Sequence, residues 1–313
     1  MEIIYNQAVL MHNASDTVAE GSYRLNGIEK IAKNVIPSFD VMPYIRVVHT
    51  EDYIQKVENA CKSRLRMSEV NTGPETFDAA ILSVALSILA AKENNFAAIR
   101  PPGHHAEREF AKGFCFFNNI AIATQSLIDS GERICIIDID GHKGDGTEEM
   151  FYKSDRVLFC SINQENSFPF RFSNNLDYES DKLARYTINI NIPEGSGDDI
   201  LLKSLGMISP RVHKFNPSLI GISAGFDGYY KDNLLRLNYT FSGYYESGKI
   251  IREMGYPVFA VLEGGYHHDV LNCIESFVAG INGEFSEFRS PLSESSKDTF
   301  FKFWKNTSNF RSW

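Results

Sequence analysis

Ile134-Cys135-Ile136-Ile137-Asp138-Ile139-Asp140-Gly141-His142 is the stretch on which the reading of the chain turns. Its first half is apolar at every position, without the alternation of a strand that has one wet face. Such a run reads as a strand buried on both sides, as in a parallel sheet covered by helices. Its second half turns polar. Residues two apart on extended backbone point the same way, so Asp140 and His142 can reach one point together just past the strand. Open parallel α/β sheets bind their ligands at that carboxyl end.

Working outward, five more short runs have the same character: residues 96–99, 157–162, 186–192, 219–223 and 258–262, each rich in Ile, Val or aromatics and without clean alternation. Helical patterns lie between them, at 77–91 (almost wholly apolar), 119–130 (stopping at Gly131), 198–213, 240–254 and 269–281. Strand alternating with helix implies one α/β domain over residues 1–313, a parallel sheet with helices on both faces. There is no internal repeat. Residues 163–185, around Phe168-Pro169-Phe170, read as a functional loop. The tail, 284–313, has no place in this scheme, but Phe300, Phe301, Phe303 and Trp304 suggest that it packs on the body.

The net charge of −9 argues against a protein that grips nucleic-acid backbone, which needs a cationic surface, and suits a cationic substrate. No apolar stretch approaches the ~20 residues of a membrane span, and Met1-Glu2-Ile3-Ile4 does not open a signal peptide. Five scattered cysteines, with Cys135 and Cys160 inside strand-like runs, fit free thiols in a reducing compartment. A cytoplasmic protein without a membrane is the expectation.

The candidate chemistry follows the strand runs, as the sheet rule requires. His104 and His105, in Arg100-Pro101-Pro102-Gly103-His104-His105-Ala106, come after the first. Adjacent imidazoles can take and give protons near neutrality, and Asp138 and Asp145 are available carboxylates to fix their tautomers. Asp227, in Ser223-Ala224-Gly225-Phe226-Asp227, can join Asp140 and His142. Two carboxylates and one neutral imidazole would balance a divalent ion and leave a coordination position open, the mark of a catalytic zinc site. In Leu262-Glu263-Gly264-Gly265-Tyr266, the tyrosine can place a phenol against a developing oxyanion. Each motif alone has a plainer reading: carboxylates capping a helix, a surface histidine pair, a packing tyrosine.

Together the segments RPPGHHA, GFCFFNN, DIDGHKGDGT, SAGFD and LEGGY, in this order and at suitable separations, resemble the histone deacetylase superfamily. That superfamily includes bacterial and archaeal deacetylases and acetylpolyamine amidohydrolases. The resemblance runs over about residues 48–280. It implies an arginase-like single α/β domain whose eight-stranded parallel sheet lies between helices. It implies zinc on Asp140, His142 and Asp227, a set that iron(II) or cobalt(II) also suits. It pairs His104 with Asp138 and His105 with Asp145. His105 would move the proton, His104 would tune the electrostatics, and Tyr266 would meet the transition state. Gly113, Phe114 and Phe168 would line an acyl-lysine tunnel, with Leu234 near its rim. Structural potassium would sit at Asp138, Asp140, His142, Ser161 and Ile162, and a second such ion at Phe151, Val157 and Tyr186.

The implied activity is hydrolysis of an acylated amine, foremost acetyl-lysine in proteins or peptides. The competing substrate is an acetylpolyamine; apolar Leu234 leans toward lysine, with Asp232 an acidic neighbour. A non-catalytic acyl-lysine binding protein would show a broken ligand set or a missing tyrosine, and neither is seen. A dinuclear manganese hydrolase would need more ligands. Three positions depart from the family pattern. Lys143 stands where a second histidine is usual. Only Arg24 remains of an N-terminal segment. Phe170-Arg171-Phe172 replaces a glycine turn, which bears on the rim and the acyl group preferred. Activity without a protein partner is expected, and the oligomeric state is left open.

Overall fold

The computed structural model describes residues 1–12, 19–170 and 186–308. In chain order its strands are β1 (Ile3–Tyr5), β2 (Lys33–Asn34), β3 (Arg66–Met67), β4 (Val70–Asn71), β5 (Phe96–Ala97), β6 (Ile134–Asp138), β7 (Val157–Gln164), β8 (Thr187–Ile192), β9 (Leu219–Ala224) and β10 (Val258–Leu262). The helices are α1 (Met42–Val48), α2 (Glu51–Lys62), α3 (Pro74–Glu93), α4 (Asn119–Ile128), α5 (Asp145–Phe151), α6 (Asp198–Phe215), α7 (Phe241–Glu253), α8 (Val270–Asn282) and α9 (Lys297–Thr307). Eight strands form one parallel sheet in the order β2-β1-β5-β10-β9-β6-β7-β8, and β3 and β4 make a separate antiparallel hairpin. The fold is the α/β domain the sequence implied.

The buried runs behave as their composition demands. Every residue of β6, β7, β9 and β10 is buried. β6 lies between β7 and β9, with Asp138 opposite Ser161 on one side and Ser223 on the other. The most buried strand therefore ends in a carboxylate flanked by hydroxyls.

Three expectations are corrected. The run 186–192 does alternate: Ile188, Ile190 and Ile192 are buried while Thr187, Asn189 and Asn191 are more open, because β8 is an edge strand. The run 96–99 pairs only through Ala97 before the chain leaves for its proline turn. Helix α3 begins at Pro74, which the first turn tolerates, and reaches 20 residues. By length and composition it could cross a membrane, against the sequence reading, but 61% of its most apolar window is buried, and it packs on α2, α4 and β10 as a core helix.

The tail has a place after all. Ser293 Oγ accepts from the Asp198 N–H, and Ser295 Oγ donates to Asp199 Oδ1 at 2.7 Å. This stitches the chain to the start of α6 and lays α9 on β8. Phe303 is fully buried and Phe300 is partly buried against the core, whereas Phe301 and Trp304 are exposed, so only half of the aromatic cluster packs as expected. Of residues 163–185, Asn163 and Gln164 belong to β7, and 171–185, with Arg171 and Phe172, lie outside the described residues. All five cysteines are free and buried.

A buried histidine gives the fold a pH limit. His49 Nε2 accepts the Asn118 N–H at 3.0 Å, so Nδ1, 3.1 Å from the Arg108 carbonyl oxygen, carries the proton. Burial pushes its pKa down from 6.5 to about 4. The unfolded chain therefore takes up the proton first as pH falls. The stability this group contributes is whole above pH 6.5 and lost as pH drops through 4, amounting to about 3 kcal/mol. Urea unfolding at pH 7 and pH 4.5 should show a smaller acid loss in His49→Gln, which cannot titrate, than in the wild type.

Candidate active site

Strands β5, β10, β9 and β6 are adjacent in the sheet, so the loops leaving their carboxyl ends converge. These are the loops that carry His104 and His105, Tyr266, Asp227, and Asp140 with His142. Four motifs far apart in sequence meet because sheet order, not chain order, sets their neighbours.

At the centre, Asp140, His142 and Asp227 are buried, and one ligand atom from each lies within 4.8 Å of the others. His142 Nδ1 is 2.6 Å from Asp227 Oδ2 and 3.3 Å from Asp140 Oδ1. The outer oxygens are fixed by backbone donors: Gly264 N–H to Asp140 Oδ2 at 2.8 Å and Gly141 N–H to Asp227 Oδ1 at 2.7 Å. The inner oxygens are thereby aimed at one point. Gly264 is needed there, since a Cβ on it would stand 2.6 Å from both carboxylates. Burial opposes a charge on His142, yet Asp227 and Asp140 outweigh it and raise its pKa to about 10. The trio thus calls for positive charge at its centre, and its donor types, count and openness fit a catalytic divalent metal ion.

The tandem histidines differ in environment. His104 Nδ1 lies 3.0 Å from Asp138 Oδ2 and His105 Nδ1 lies 2.9 Å from Asp145 Oδ1, the two pairings the resemblance implied. Burial opposes the charged form of His104, but Asp140, Asp138 and Glu263 together hold its pKa well above the ordinary value. Burial, and then the charge on His104, push His105 down to about 4. His105 is therefore a neutral imidazole at pH 7, its Nδ1 occupied by Asp145 and its Nε2 left for the pocket. That is the state of a group ready to accept a proton.

Tyr266 is held from both sides of its backbone. Its N–H donates to Asp232 Oδ2 at 2.6 Å, and the Tyr23 hydroxyl donates to its carbonyl at 2.9 Å. The Arg24 guanidinium lies 4.8 Å from its ring centroid, and Arg24 is itself tied to the Gly265 carbonyl (2.6 Å) and to Glu20 (3.1 Å). The N-terminal remnant thus underpins the tyrosine loop. Burial keeps the phenol pKa well above 10, so Tyr266 stays a hydrogen-bond donor.

Above these groups opens a pocket of about 380 Å³ whose walls include Phe114, Phe168, Leu234 and Tyr266, with His105 and His142 also lining it. The Phe168 ring stands edge-on to His105 at 5.0 Å, and Phe114 edge-on to Tyr266 at 5.7 Å. Gly113 has φ +58°, and a Cβ on it would lie 2.4 Å from His105 Cδ2 and 2.9 Å from Phe168 Cε1. Gly113→Ala should therefore push His105 out of register and lower kcat/KM by roughly 10²-fold. Steady-state kinetics beside a thermal melt would check that the loss is local.

The other expected residues fall as follows. Ser161 and Ile162 adjoin Asp138 across β6 and β7. Phe151 ends α5, Val157 opens β7 and Tyr186 precedes β8. Lys143 is no bare cation, for its Nζ pairs with Glu148 at 2.5 Å. Asp232 is turned inward, accepting from Tyr266 and Leu234 N–H groups, and so is not a rim charge. The motifs did not reveal two further residues. Glu263 is fully buried, its carboxylate accepting the Gly103 N–H (2.7 Å) and His104 N–H (3.0 Å), which binds the LEGGY turn to the histidine turn; burial raises its pKa to about 7. Lys112 is buried beside Asp145. Glu263 stood inside a quoted motif; Lys112 had no local signal.

The fold and this site define a metal-dependent amidohydrolase. The chain belongs to the histone deacetylase domain family, whose model matches residues 18–281, beginning well before the motifs themselves. A probable deacetylase of Archaeoglobus fulgidus is 36% identical over 294 residues, 84% of this chain and 80% of that one. Acetylpolyamine amidohydrolase 1 of Pseudomonas aeruginosa is 36% identical over 197 residues, 60% of this chain and 57% of that protein. The crystal structure of the HDA15 HD domain shares the fold with a TM-score of 0.84 at 23% identity, covering 98% of this chain and 95% of that one. An acetylpolyamine aminohydrolase from Burkholderia pseudomallei does so at 0.79 and 24%, covering 90% and 99%.

Proposed function

We propose that the protein is a zinc-dependent deacetylase acting on acetyl-lysine in proteins or peptides. The observation that carries this is one assembly: a buried Asp140, His142 and Asp227 trio, a neutral His105 and a protonated Tyr266, at the foot of a pocket lined by the phenyl rings of Phe114, Phe168 and Phe170. Bound at the trio, zinc would polarise the amide carbonyl and acidify water at neutral pH. Tyr266 donates a hydrogen bond to the carbonyl oxygen as negative charge develops there. His105 accepts the proton released when water attacks and returns one to the leaving amine, while Asp145 holds its tautomer. His104, tied to Asp138, stays charged and steadies the developing anion. Phe114 and Phe168 embrace a methylene chain and exclude water from it.

Potassium belongs to the same reading. Asp138 and Ser161, buried register partners, together with Asp140 and the backbone carbonyls of His142 and Ile162, would offer hard oxygen donors for one ion. The backbone carbonyls of Phe151, Val157 and Tyr186 would offer a second set.

The substrate is read from the rim. Leu234 is half exposed at the pocket mouth, and Asp232, two positions before it, is turned away into the protein. That favours an acetyl-lysine side chain over a second ammonium. Glu69 and Glu194, both lining the pocket, support the other reading, an acetylpolyamine. Turnover of an acetyl-lysine peptide and of N-acetylputrescine by the zinc-loaded protein separates them. The expected result is a higher kcat/KM for the peptide; preference for the acetylpolyamine would replace this substrate assignment and keep the chemistry.

A further inference from the structure

Asp145 divides its carboxylate between two side chains. Oδ1 meets His105 Nδ1 at 2.9 Å, and Oδ2 meets Lys112 Nζ at 2.5 Å. Lys112 is 7% exposed, unusual for a lysine, and its ammonium also pairs with Glu107. Burial works against both charges, yet Asp145 and Glu107 hold Lys112 above its ordinary pKa, and His105 and Lys112 hold Asp145 below its own. The same lysine immediately precedes Gly113 and Phe114, which wall the pocket.

We propose that Lys112 is a positioning residue for the reaction, turning the His105–Asp145 pair into a Lys112–Asp145–His105 chain that locks the imidazole to the pocket wall. The carboxylate has one oxygen for orienting His105 and a second that, on a side chain only 14% exposed, is held by a partner of its own. Lys112 supplies it as a charge-assisted hydrogen bond and thereby stops Asp145 from rotating away from Nδ1. A mere loop staple is the competing role. Glu107 and Lys112 lie on one turn, closed by the Glu107–Phe110 bridge, and their ion pair alone would serve that purpose. The two roles differ in whether the effect of Lys112 passes through Asp145.

This inference rests on the reading of His105 as the group that moves the proton. The test uses the zinc-loaded full chain with whichever acetylated amine the wild type turns over. Lys112→Met is expected to lower kcat by about 10–100-fold, with KM held within about threefold. Lys112→Arg, which keeps the charge, should restore most of it. Glu107→Gln should lower the melting temperature while leaving kcat within about threefold of wild type. In an Asp145→Asn background, Lys112→Met should cost less than about twofold more, because the chain is already cut. An unchanged kcat in Lys112→Met, a loss carried by KM, or an equal loss in the Asp145→Asn background would overturn the proposal. A metal-loaded wild type that cleaves no acetylated amine would instead sink the functional reading, and this inference with it.

Discussion

Replacing His105 with Ala lowers kcat by about 10²–10⁴-fold while KM changes little. The expectation rests on placement. The ring is buried, its Nδ1 is committed to Asp145, and its pKa is pushed down to about 4, so at pH 7 it is neutral with Nε2 toward the pocket. Among the described residues, no other group there is so prepared. His104 sits beside three carboxylates that favour its charged form, which makes it a poor acceptor of a second proton. His104→Ala should therefore cost less than His105→Ala. Single-turnover rates of the two variants, with metal content and thermal melts compared, would check both. A larger loss in His104→Ala would reverse the assignment.

Tyr266→Phe should lower kcat by about 10²–10³-fold, the usual worth of one donor to an oxyanion. The substitution removes only the hydroxyl. The ring can keep its contacts with Phe114 and the Arg24 guanidinium, and the backbone keeps Asp232 and Tyr23. Stability and substrate affinity should therefore hold, and the effect should appear in kcat. A variant that loses affinity but not kcat would make Tyr266 a wall of the pocket rather than a participant in the chemistry.

Much of this site was legible because it is built at strand ends. β6 is apolar at every position until Asp138, so its polar end pointed to chemistry; extended backbone was expected to bring Asp140 and His142 together, but the strand ends at Asp138 and both residues lie in the bend that follows it. The third residue of the trio could be named from Ser223-Ala224-Gly225-Phe226-Asp227, but its closeness depends on β9 lying beside β6, which no local pattern reveals. The same limit hid Lys112, whose partner Asp145 arrives on a different element. Glu263 was visible but mute, since only the fold shows that it holds the histidine turn. The tail failed for a related reason. α9 is placed by Ser293 and Ser295 hydrogen-bonding to Asp198 and Asp199 almost a hundred positions earlier, and its aromatics alone do not say which of them face the core. β8 misled because an edge strand keeps one open face, and its alternation of Ile with Thr and Asn is the signature of that face.

The central claim, that a metal ion on Asp140, His142 and Asp227 drives deacetylation, is tested most directly by removing and returning the ion. The protein would be stripped with a chelator, its metal content measured, and hydrolysis of an acetyl-lysine peptide followed as zinc is titrated back, with Asp227→Asn alongside. The expected result is no turnover when stripped, recovery that saturates near one zinc per chain, and neither binding nor recovery in the variant. Full turnover by the stripped protein, or by Asp227→Asn, would contradict it.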